Sequence, residues 1–383
     1  MDVFGFNLFK KIRVMSKKKY LFFLVHPSKF NVFRHTINYL ISMGHTVKVL
    51  ITSKDVLEDL VKTENWDYNN IFPEGRKMKG IPAYLSAGIN TFRTVFRLFK
   101  YTNKEHYDLY ITDDLLVING WLKGVPTILL QDDDVTAVPE SALLHYFTKH
   151  ILTQEYSDMG KNSYKKIPMF AYKELGNLHP NKFTPNYAIV EKFNPIKEDY
   201  FILRLVSLKS THDTGKNGLN DKDVERLISI LEKRGKVFIT SERELPMKFE
   251  KLRISLPVNE ISHALYFAKL LIADSQTMSA EAGVLGTPYI RFNDFVGRIS
   301  YLEDLEQNYK LGYGIMTKDK HLLFEKIDEL LKIDNIKEIW KEKRAKMLSE
   351  KIDLTDYMIW LFENYPKSAE IIQKDPDYQN RFK

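Results

Sequence analysis

The run Tyr20-Leu-Phe-Phe-Leu-Val25, the apolar residues Phe33, Ile37, Leu40 and Ile41, and then Val47-Lys-Val-Leu-Ile-Thr52 decide the fold class. The first run is continuously apolar, as a strand buried on both faces requires. The residues after it recur at helical spacing and stop at Gly44, a helix-ending residue. Strand, helix and strand within about 35 residues make a βαβ unit, which implies a parallel sheet. Further short strands are expected at Leu109 to Thr112, Thr127 to Leu130 and His150 to Thr153. Around Asn181 to Pro195 the pattern lapses into a Pro/Asn-rich stretch carrying Pro180, Pro185 and Pro195, which marks a domain boundary.

Beyond it the alternation restarts. Tyr200 to Leu205, helix 221–234, Val237 to Thr240, helix 259–268, Leu270 to Ala273, helix 277–285 and Pro288 to Arg291 follow in order. The expectation is an α/β protein of two Rossmann-like domains with an interdomain cleft. Its segments are a basic leader 1–16, a first domain 17–194, a second domain 195–350, and helices 351–383 packing back on the first domain. A single continuous α/β sheet is the competing arrangement.

Composition narrows the class. With 383 residues, 44% hydrophobic and 28% charged, the chain can bury a large core and is not a disordered protein. No apolar run approaches the roughly 18 residues of a membrane span. The absence of cysteine excludes disulfides, thiolate metal sites and cysteine nucleophiles, and fits a cytoplasmic setting. The net charge of +7 is concentrated at the start, where Lys10, Lys11, Arg13, Lys17, Lys18 and Lys19 face only Asp2. This leader is not a good secretory signal, because lysines interrupt its apolar residues and no small-residue cleavage site follows. Phe4, Phe6, Leu8, Phe9 and Ile12 lie between the charges, a pattern that suits an anionic membrane surface as well as a solvated terminus.

Chemistry concentrates in Leu271-Ile-Ala-Asp-Ser-Gln-Thr-Met-Ser-Ala-Glu-Ala-Gly-Val-Leu-Gly-Thr-Pro288. A strand ends at Ala273, and Ser275, Gln276 and Thr277 open a helix where hydroxyls and free backbone N–H groups hold an anion well. Glu281 lies one turn further in. The plainer reading is an ordinary N-cap by Ser275. A second segment, Arg204-Leu-Val-Ser-Leu-Lys-Ser-Thr-His-Asp-Thr-Gly-Lys-Asn-Gly218, follows the first strand of the second domain. Its glycines give a flexible loop, and Arg204, Lys209, His212 and Lys216 supply positive charge for phosphate.

The Asp274 segment resembles the nucleotide-sugar motif of GT-B proteins, especially UDP-N-acetylglucosamine 2-epimerases, whose pattern is Asp-Ser-Gly-Gly-x-Gln-Glu-Glu-Ala. Asp274, Ser275, Glu281 and Ala282 fall in register, as does the closing Leu285-Gly286-x-Pro288. The resemblance implies phosphate contact by Ser275 and ribose contact by Glu281, with Gln276 and Thr277 in place of the two glycines. His212 matches the histidine of the epimerases' Thr-x-His-Arg-Arg loop, whose arginines are missing here. Arg-x-x-Ser…His-Asp-x-Gly-Lys-x-Gly, with Tyr172-Lys-Glu-Leu175 upstream, is similar to the domain of unknown function 354 family, which groups with GT-B folds. No Walker or GxGxxG motif is present, so no ATP or nicotinamide cofactor is expected.

Carboxylates at the carboxyl ends of parallel strands point into a ligand crevice. The candidates are Asp113 after one strand, Asp132 (or Asp133) after the next, and Glu140 in the Pro139-Glu140 step; the epimerases place three acids comparably. Ordinary loop and cap aspartates are the alternative. His26 follows the first strand, where several inverting GT-B transferases keep a catalytic histidine, and it can equally cap the turn. The Asp132-Asp133-Asp134 run mimics a metal-binding Asp-x-Asp, but two Rossmann-like halves argue GT-B, so no metal is expected. Phe92, Val95, Phe96 and Phe99 repeat at helical spacing with Arg93, Arg97 and Lys100 between them. That stretch, within 82–101, is either a core helix with a solvated cationic face or a membrane-docking patch. No signature of a nucleic-acid partner accompanies the charge.

The expected protein is a GT-B glycosyltransferase moving a sugar from a nucleotide donor, UDP-linked, to a cell-envelope glycan or lipid-linked acceptor at the cytoplasmic membrane face. A UDP-N-acetylhexosamine 2-epimerase and a non-catalytic interaction module are the alternatives. The epimerases carry a Gly-Thr-Arg-Pro-Glu turn after the first strand; the loss of its arginine, of the twin glycines and of the loop arginines weighs toward the transferase.

Overall fold

The computed structural model describes residues 16–54, 56–76, 83–207, 218–254 and 256–383. Two parallel sheets organise it. The first contains β1 (Lys19–Leu24), β2 (Thr46–Ile51), β3 (Asp67–Asn70), β4 (Leu109–Thr112), β5 (Thr127–Leu130), β6 (His150–Gln154) and β7 (Lys166–Met169). The second contains β8 (Tyr200–Leu205), β9 (Lys236–Ser241), β10 (Leu270–Ala273), β11 (Tyr289–Phe292) and β12 (Gly312–Ile315). Their spatial orders are β3-β2-β1-β4-β5-β6-β7 and β12-β11-β10-β8-β9, with every pairing parallel.

The central strand β1 shows why the apolar run folds this way. Phe22 and Leu24 pack on one face with Phe30, Phe33 and Ile37 of the helix Pro27–Ser42. Leu21 and Phe23 pack on the other with Leu98, Tyr110 and Leu116. Burying each such side chain is worth about 1.5–3 kcal/mol, so a polar residue anywhere from Leu21 to Leu24 would be costly. The helix starts with His26 as N-cap and Pro27 in its first turn, and the chain leaves it through Gly44 at φ +79°. Strand order reverses between β1 and β4 in the first sheet and between β8 and β10 in the second. Ligand crevices form outside the strand carboxyl ends at such reversals.

Three strands, β3, β7 and β12, were not expected from the sequence. All three are sheet edges. Their sequences, Asp-Tyr-Asn-Asn, Lys-Ile-Pro-Met and Gly-Tyr-Gly-Ile, carry the polar residues, proline and glycine that edges tolerate and that protect them from unwanted pairing.

After the helix Ile336–Glu350 the chain returns to the first sheet. Phe362 of the helix Leu354–Glu363 lies 6.2 Å from Phe22 and 6.5 Å from Phe33, ring to ring. Tyr20 donates its hydroxyl to the Phe362 carbonyl at 3.3 Å. Residues 1–15 of the basic leader lie outside the described residues.

The helix Ala83–Thr102 is turned the opposite way from a core helix with a solvated cationic face. Thr94 and Leu98 are buried, whereas Phe92 and Phe96 are 74% and 69% exposed and stack on each other. Arg93 and Arg97 fold onto Glu74 at 3.0 and 2.6 Å, with Arg97 over the Phe72 ring. Half of the Arg93 and Arg97 charge is therefore offset by Glu74, and the apolar ridge faces outward.

Gly176 sets the approach of the short helix Leu175–Leu178 to the helix Pro27–Ser42. A Cβ there would lie 2.7 Å from the Val32 carbonyl oxygen and 3.1 Å from its Cα, backbone atoms that cannot swing aside. Gly176→Ala should lower stability by about 1–3 kcal/mol through overpacking. The urea midpoint should fall accordingly; an unchanged midpoint would show that the two helices can separate freely.

Candidate functional site

The carboxyl ends of β1, β4 and β5 deliver His26, Asp113 and Asp132 to one side of the cleft. Asp132 accepts from Lys29 at 2.6 Å and forms a second buried ion pair with Lys173. Burial alone would raise its carboxyl, but the Lys173 and Lys29 ammonium groups outweigh that and hold it well below the usual range. It is a permanent anion. Lys173 is held ammonium in return: burial works against its charge, and Asp132, Tyr301 and Glu174 overcome it.

The neighbouring acids behave differently. Asp113 is pushed up to about 7, chiefly by burial, with Lys29 opposing and Asp114 and Asp132 adding to the rise. Its Oδ1 is buried without a hydrogen-bond partner. Asp114 instead accepts from Arg76 at 2.7 Å. His26 is pushed down to about 3, first by burial and then by Lys54, Lys29 and Lys173. It is neutral at pH 7, with Nδ1 engaged by the Ser28 N–H at 3.1 Å.

From the second domain, β10 ends at Ala273, Asp274 follows it, and Ser275 caps the ten-residue helix Gln276–Leu285. The Ser275 hydroxyl accepts the Met278 N–H at 3.3 Å. The other first-turn N–H groups have no acceptor within the helix, which leaves its positive end open. Asp274 is structural: its Oδ1 accepts the Val206 N–H at 2.7 Å, tying down the chain as it leaves β8. A Cβ at Gly218 would lie 2.7 Å from Asp274 Oδ2, so glycine is required where the loop returns. Arg204, near the end of β8, pairs with Glu242 and with Thr240 at 3.0 Å, while its Nε is buried and unpaired. Glu281 is pushed up to about 7, first by burial and then by Glu174, with Arg204 and Lys173 opposing. Glu174 of the first domain is thus the acid that works most against ionisation of Glu281 in the second.

Of the residues expected from the sequence, His26, Asp113 and Asp132 gather on the first-domain side. Arg204, Ser275, Gln276, Thr277 and Glu281 gather at the carboxyl ends of β8 and β10. Glu140 is exposed on a 3₁₀ turn, and its carboxylate joins no hydrogen bond or ion pair among the described residues. His212 and Lys216 lie outside the described residues. Lys29 was not anticipated, and Lys173 and Glu174 were quoted only within the Tyr172-Lys-Glu-Leu175 motif. Asp134 was also unassigned: it accepts the Ser300 N–H at 3.0 Å and the Ser300 hydroxyl at 2.9 Å, joining the domains.

The chain has the GT-B fold. It superposes on a protein assigned as UDP-N-acetylglucosamine 2-epimerase from Listeria monocytogenes at TM-score 0.65, with 13% identity over 92% of this chain and 97% of that one. The UDP-GlcNAc 2-epimerase of Methanocaldococcus jannaschii, in complex with UDP-GlcNAc and UDP, superposes at 0.58, with 16% identity over 86% and 99%. The spinosyn rhamnosyltransferase SpnG, complexed with spinosyn aglycone, does so at 0.57, with 13% identity over 91% and 100%. No protein-family model and no curated protein matches the chain, so the likeness to the domain of unknown function 354 family rests on the quoted residues alone. Such identities establish the fold and leave the reaction to the site.

The Asp132 ion pairs make a stability prediction. Asp132→Asn should strand two buried ammonium groups and cost about 3–5 kcal/mol. Denaturant melts of the variant should show that loss. An unchanged midpoint would mean that Asp132 is a dispensable partner, free to act as a base.

Proposed function

We propose that the protein is a GT-B-type glycosyltransferase that moves a sugar from a nucleotide donor, UDP-linked, to a glycan or lipid-linked acceptor. The observation that carries this reading is the open N-terminus of the helix Gln276–Leu285 at the second sheet's strand reversal, with the protonatable carboxyls Asp113 and Glu174 on the first-domain side. A diphosphate belongs at such a helix end. Ser275, Gln276, Thr277 and Arg204 would bind it, with His212 and Lys216 contributing from the loop and Glu281 taking the ribose.

The acceptor hydroxyl needs a base poised near neutrality. Asp113 meets that requirement; Asp132, fixed as an anion between two lysines, is a weak one. In the transfer, Asp113 takes the hydroxyl proton as the acceptor oxygen bonds to the anomeric carbon. The bond from that carbon to the diphosphate oxygen breaks, and the departing electron pair is stabilised at the helix end. His26, neutral and beside the same acids, would position the acceptor. The competing reading is a UDP-N-acetylhexosamine 2-epimerase. It is favoured by protonatable carboxyls on both sides of the cleft, which a two-base epimerisation needs.

UDP at a hundred times its Kd should add about 2.7 kcal/mol of stability, read as a rise in Tm. Asp113→Asn should keep that rise but lower turnover about 10²–10⁴-fold in a nucleotide-sugar panel analysed by mass spectrometry. Sugar appearing on an acceptor supports the transferase. Interconversion of UDP-N-acetylhexosamines without acceptor supports the epimerase, and no Tm rise with any nucleoside diphosphate removes both.

The membrane-face location draws its main support from the outward Phe92 and Phe96, since Glu74 offsets one of the two charges of Arg93 and Arg97. Docking through this helix should therefore resist salt, since screening weakens charge attraction but not apolar insertion. In liposome sedimentation, Phe92→Ser with Phe96→Ser should abolish binding that high salt leaves largely intact. Binding lost to salt and kept by the double variant would place the contact elsewhere.

A further inference from the structure

Tyr301 is 2% exposed, yet its hydroxyl joins no hydrogen bond among the described residues. Tyr172, Tyr200, Tyr289 and Tyr357 are as deeply buried, and each donates its hydroxyl: to Asp304, the Ala264 carbonyl, Glu306 and the Pro168 carbonyl. A buried tyrosine hydroxyl without an acceptor forgoes a bond it would make in water, and native structures rarely leave one so without a use.

Nor can Tyr301 turn away. The residue before it, Ser300, gives its N–H and its hydroxyl to Asp134 of the first domain, which also accepts the Asp158 N–H at 2.7 Å. Three residues on, Asp304 takes the Tyr172 hydroxyl. Between these ties the Tyr301 ring lies 6.4 Å from the Tyr172 ring, and Lys173 Nζ stands 5.3 Å from its centre. A side chain of the second domain is thus held against the first, beside the ion pair of Lys173 with Asp132. The nearby carboxylate is already engaged, Oδ1 of Asp132 by Lys29 and Oδ2 by Lys173. Burial, with Lys173 opposing, pushes the Tyr301 hydroxyl well above the usual tyrosine range, so it is a donor and not a base.

We propose that Tyr301 contacts the substrate: its hydroxyl donates a hydrogen bond to the acceptor of the transfer, in the closed arrangement that Asp134 and Ser300 hold. The donor diphosphate is assigned to the helix end at Ser275, whereas Lys173 and Asp132 stand on the side where Asp113 would meet the acceptor. An oxygen of the acceptor would supply the partner that the protein does not. Because the ring belongs to one domain and its neighbours to the other, the donor is in place only when the domains are together. Acceptor binding and closure then support each other, and no covalent bond is made or broken by Tyr301 itself.

This inference rests on the transferase reading, and Tyr301→Phe separates the two, since it deletes one oxygen and leaves the ring on Lys173. The full chain is assayed by mass spectrometry with UDP-N-acetylglucosamine, UDP-glucose and UDP-galactose as donors. Octyl N-acetylglucosaminide and farnesyl phosphate serve as acceptor probes. Tyr301→Phe should keep the urea midpoint and the rise in Tm with UDP, and lower kcat/KM for the acceptor about ten- to a hundredfold. Ser300→Ala should lower it by less and add little to Tyr301→Phe, because both losses act through one hydroxyl. Wild-type efficiency in Tyr301→Phe would overturn the contact and leave the transferase reading standing. A lost Tm rise would place the hydroxyl on the nucleotide, a fallen urea midpoint would give it a partner within the protein, and either overturns the proposal. Additive losses in the double variant would overturn the link to closure. Transfer to neither acceptor by the wild type would remove the transferase reading and the contact with it.

Discussion

Asp132 between Lys29 and Lys173 is the contact on which the first-domain side of the cleft depends. It joins the start of one helix, the end of β5 and the segment leading into another helix, three pieces far apart in sequence. None of these charges could be buried alone, because desolvation would cost several kcal/mol with nothing to offset it. Together they fix where the flanking groups stand, and they set the acid–base character of the cleft. The lysines give most of their field to Asp132, so burial wins at Asp113 and Glu174 and leaves both protonatable near neutrality. Burial, and after it the charges of Lys54, Lys29 and Lys173, keeps His26 neutral. One ion cluster thus sorts four neighbouring groups into a permanent anion, two proton carriers and a neutral imidazole.

Polar contacts hold the domains together across this region. Asp134 accepts from Ser300, Tyr172 bonds to Asp304, and Lys351 reaches the same Asp304 at 3.1 Å. Lys173 also lies over the Tyr301 ring, at 5.3 Å from its centre. Neighbouring acids in the 132–134 run thereby do different work: Asp132 organises the first domain, and Asp134 reaches the second. Contacts of this kind exchange for water at modest net cost, unlike an apolar core. An arrangement that must admit and release a large polar ligand is better served by them.

The central strands were legible because a strand buried on both faces must be continuously apolar, as Tyr20 to Val25 is. The edges were not, since β3, β7 and β12 carry the polar, proline and glycine residues that edge positions call for. At the site, residues that follow a strand end could be picked out by position alone, which is how Asp113, Asp132 and Ser275 were found. Lys29 and Glu174 could not. A lysine in the first turn of a helix and a Lys-Glu step before a short one look like solvated surface until the sheet order brings them beside Asp132. The Arg93 and Arg97 helix was misleading for a related reason. Spacing shows that apolar and basic residues occupy different faces, but it does not say which face the core takes; Glu74 and Phe72 decided that.

The cation positions also bear on how a departing diphosphate would be neutralised. The arginines of the epimerase pattern have no counterparts, and Lys29 and Lys173 are both engaged by Asp132, whose single negative charge leaves the trio with one positive charge. The second-domain side adds the open helix end at Ser275, the unpaired Nε of Arg204, and the basic loop between Ser207 and Gly218. Backbone N–H groups at a helix end stabilise a diphosphate that leaves once and diffuses away. An epimerase must instead hold the cleaved diphosphate in place and return it to the same sugar, which calls for stronger cationic anchoring. In the proposed transfer, where the nucleotide departs, the open helix end would supply that stabilisation.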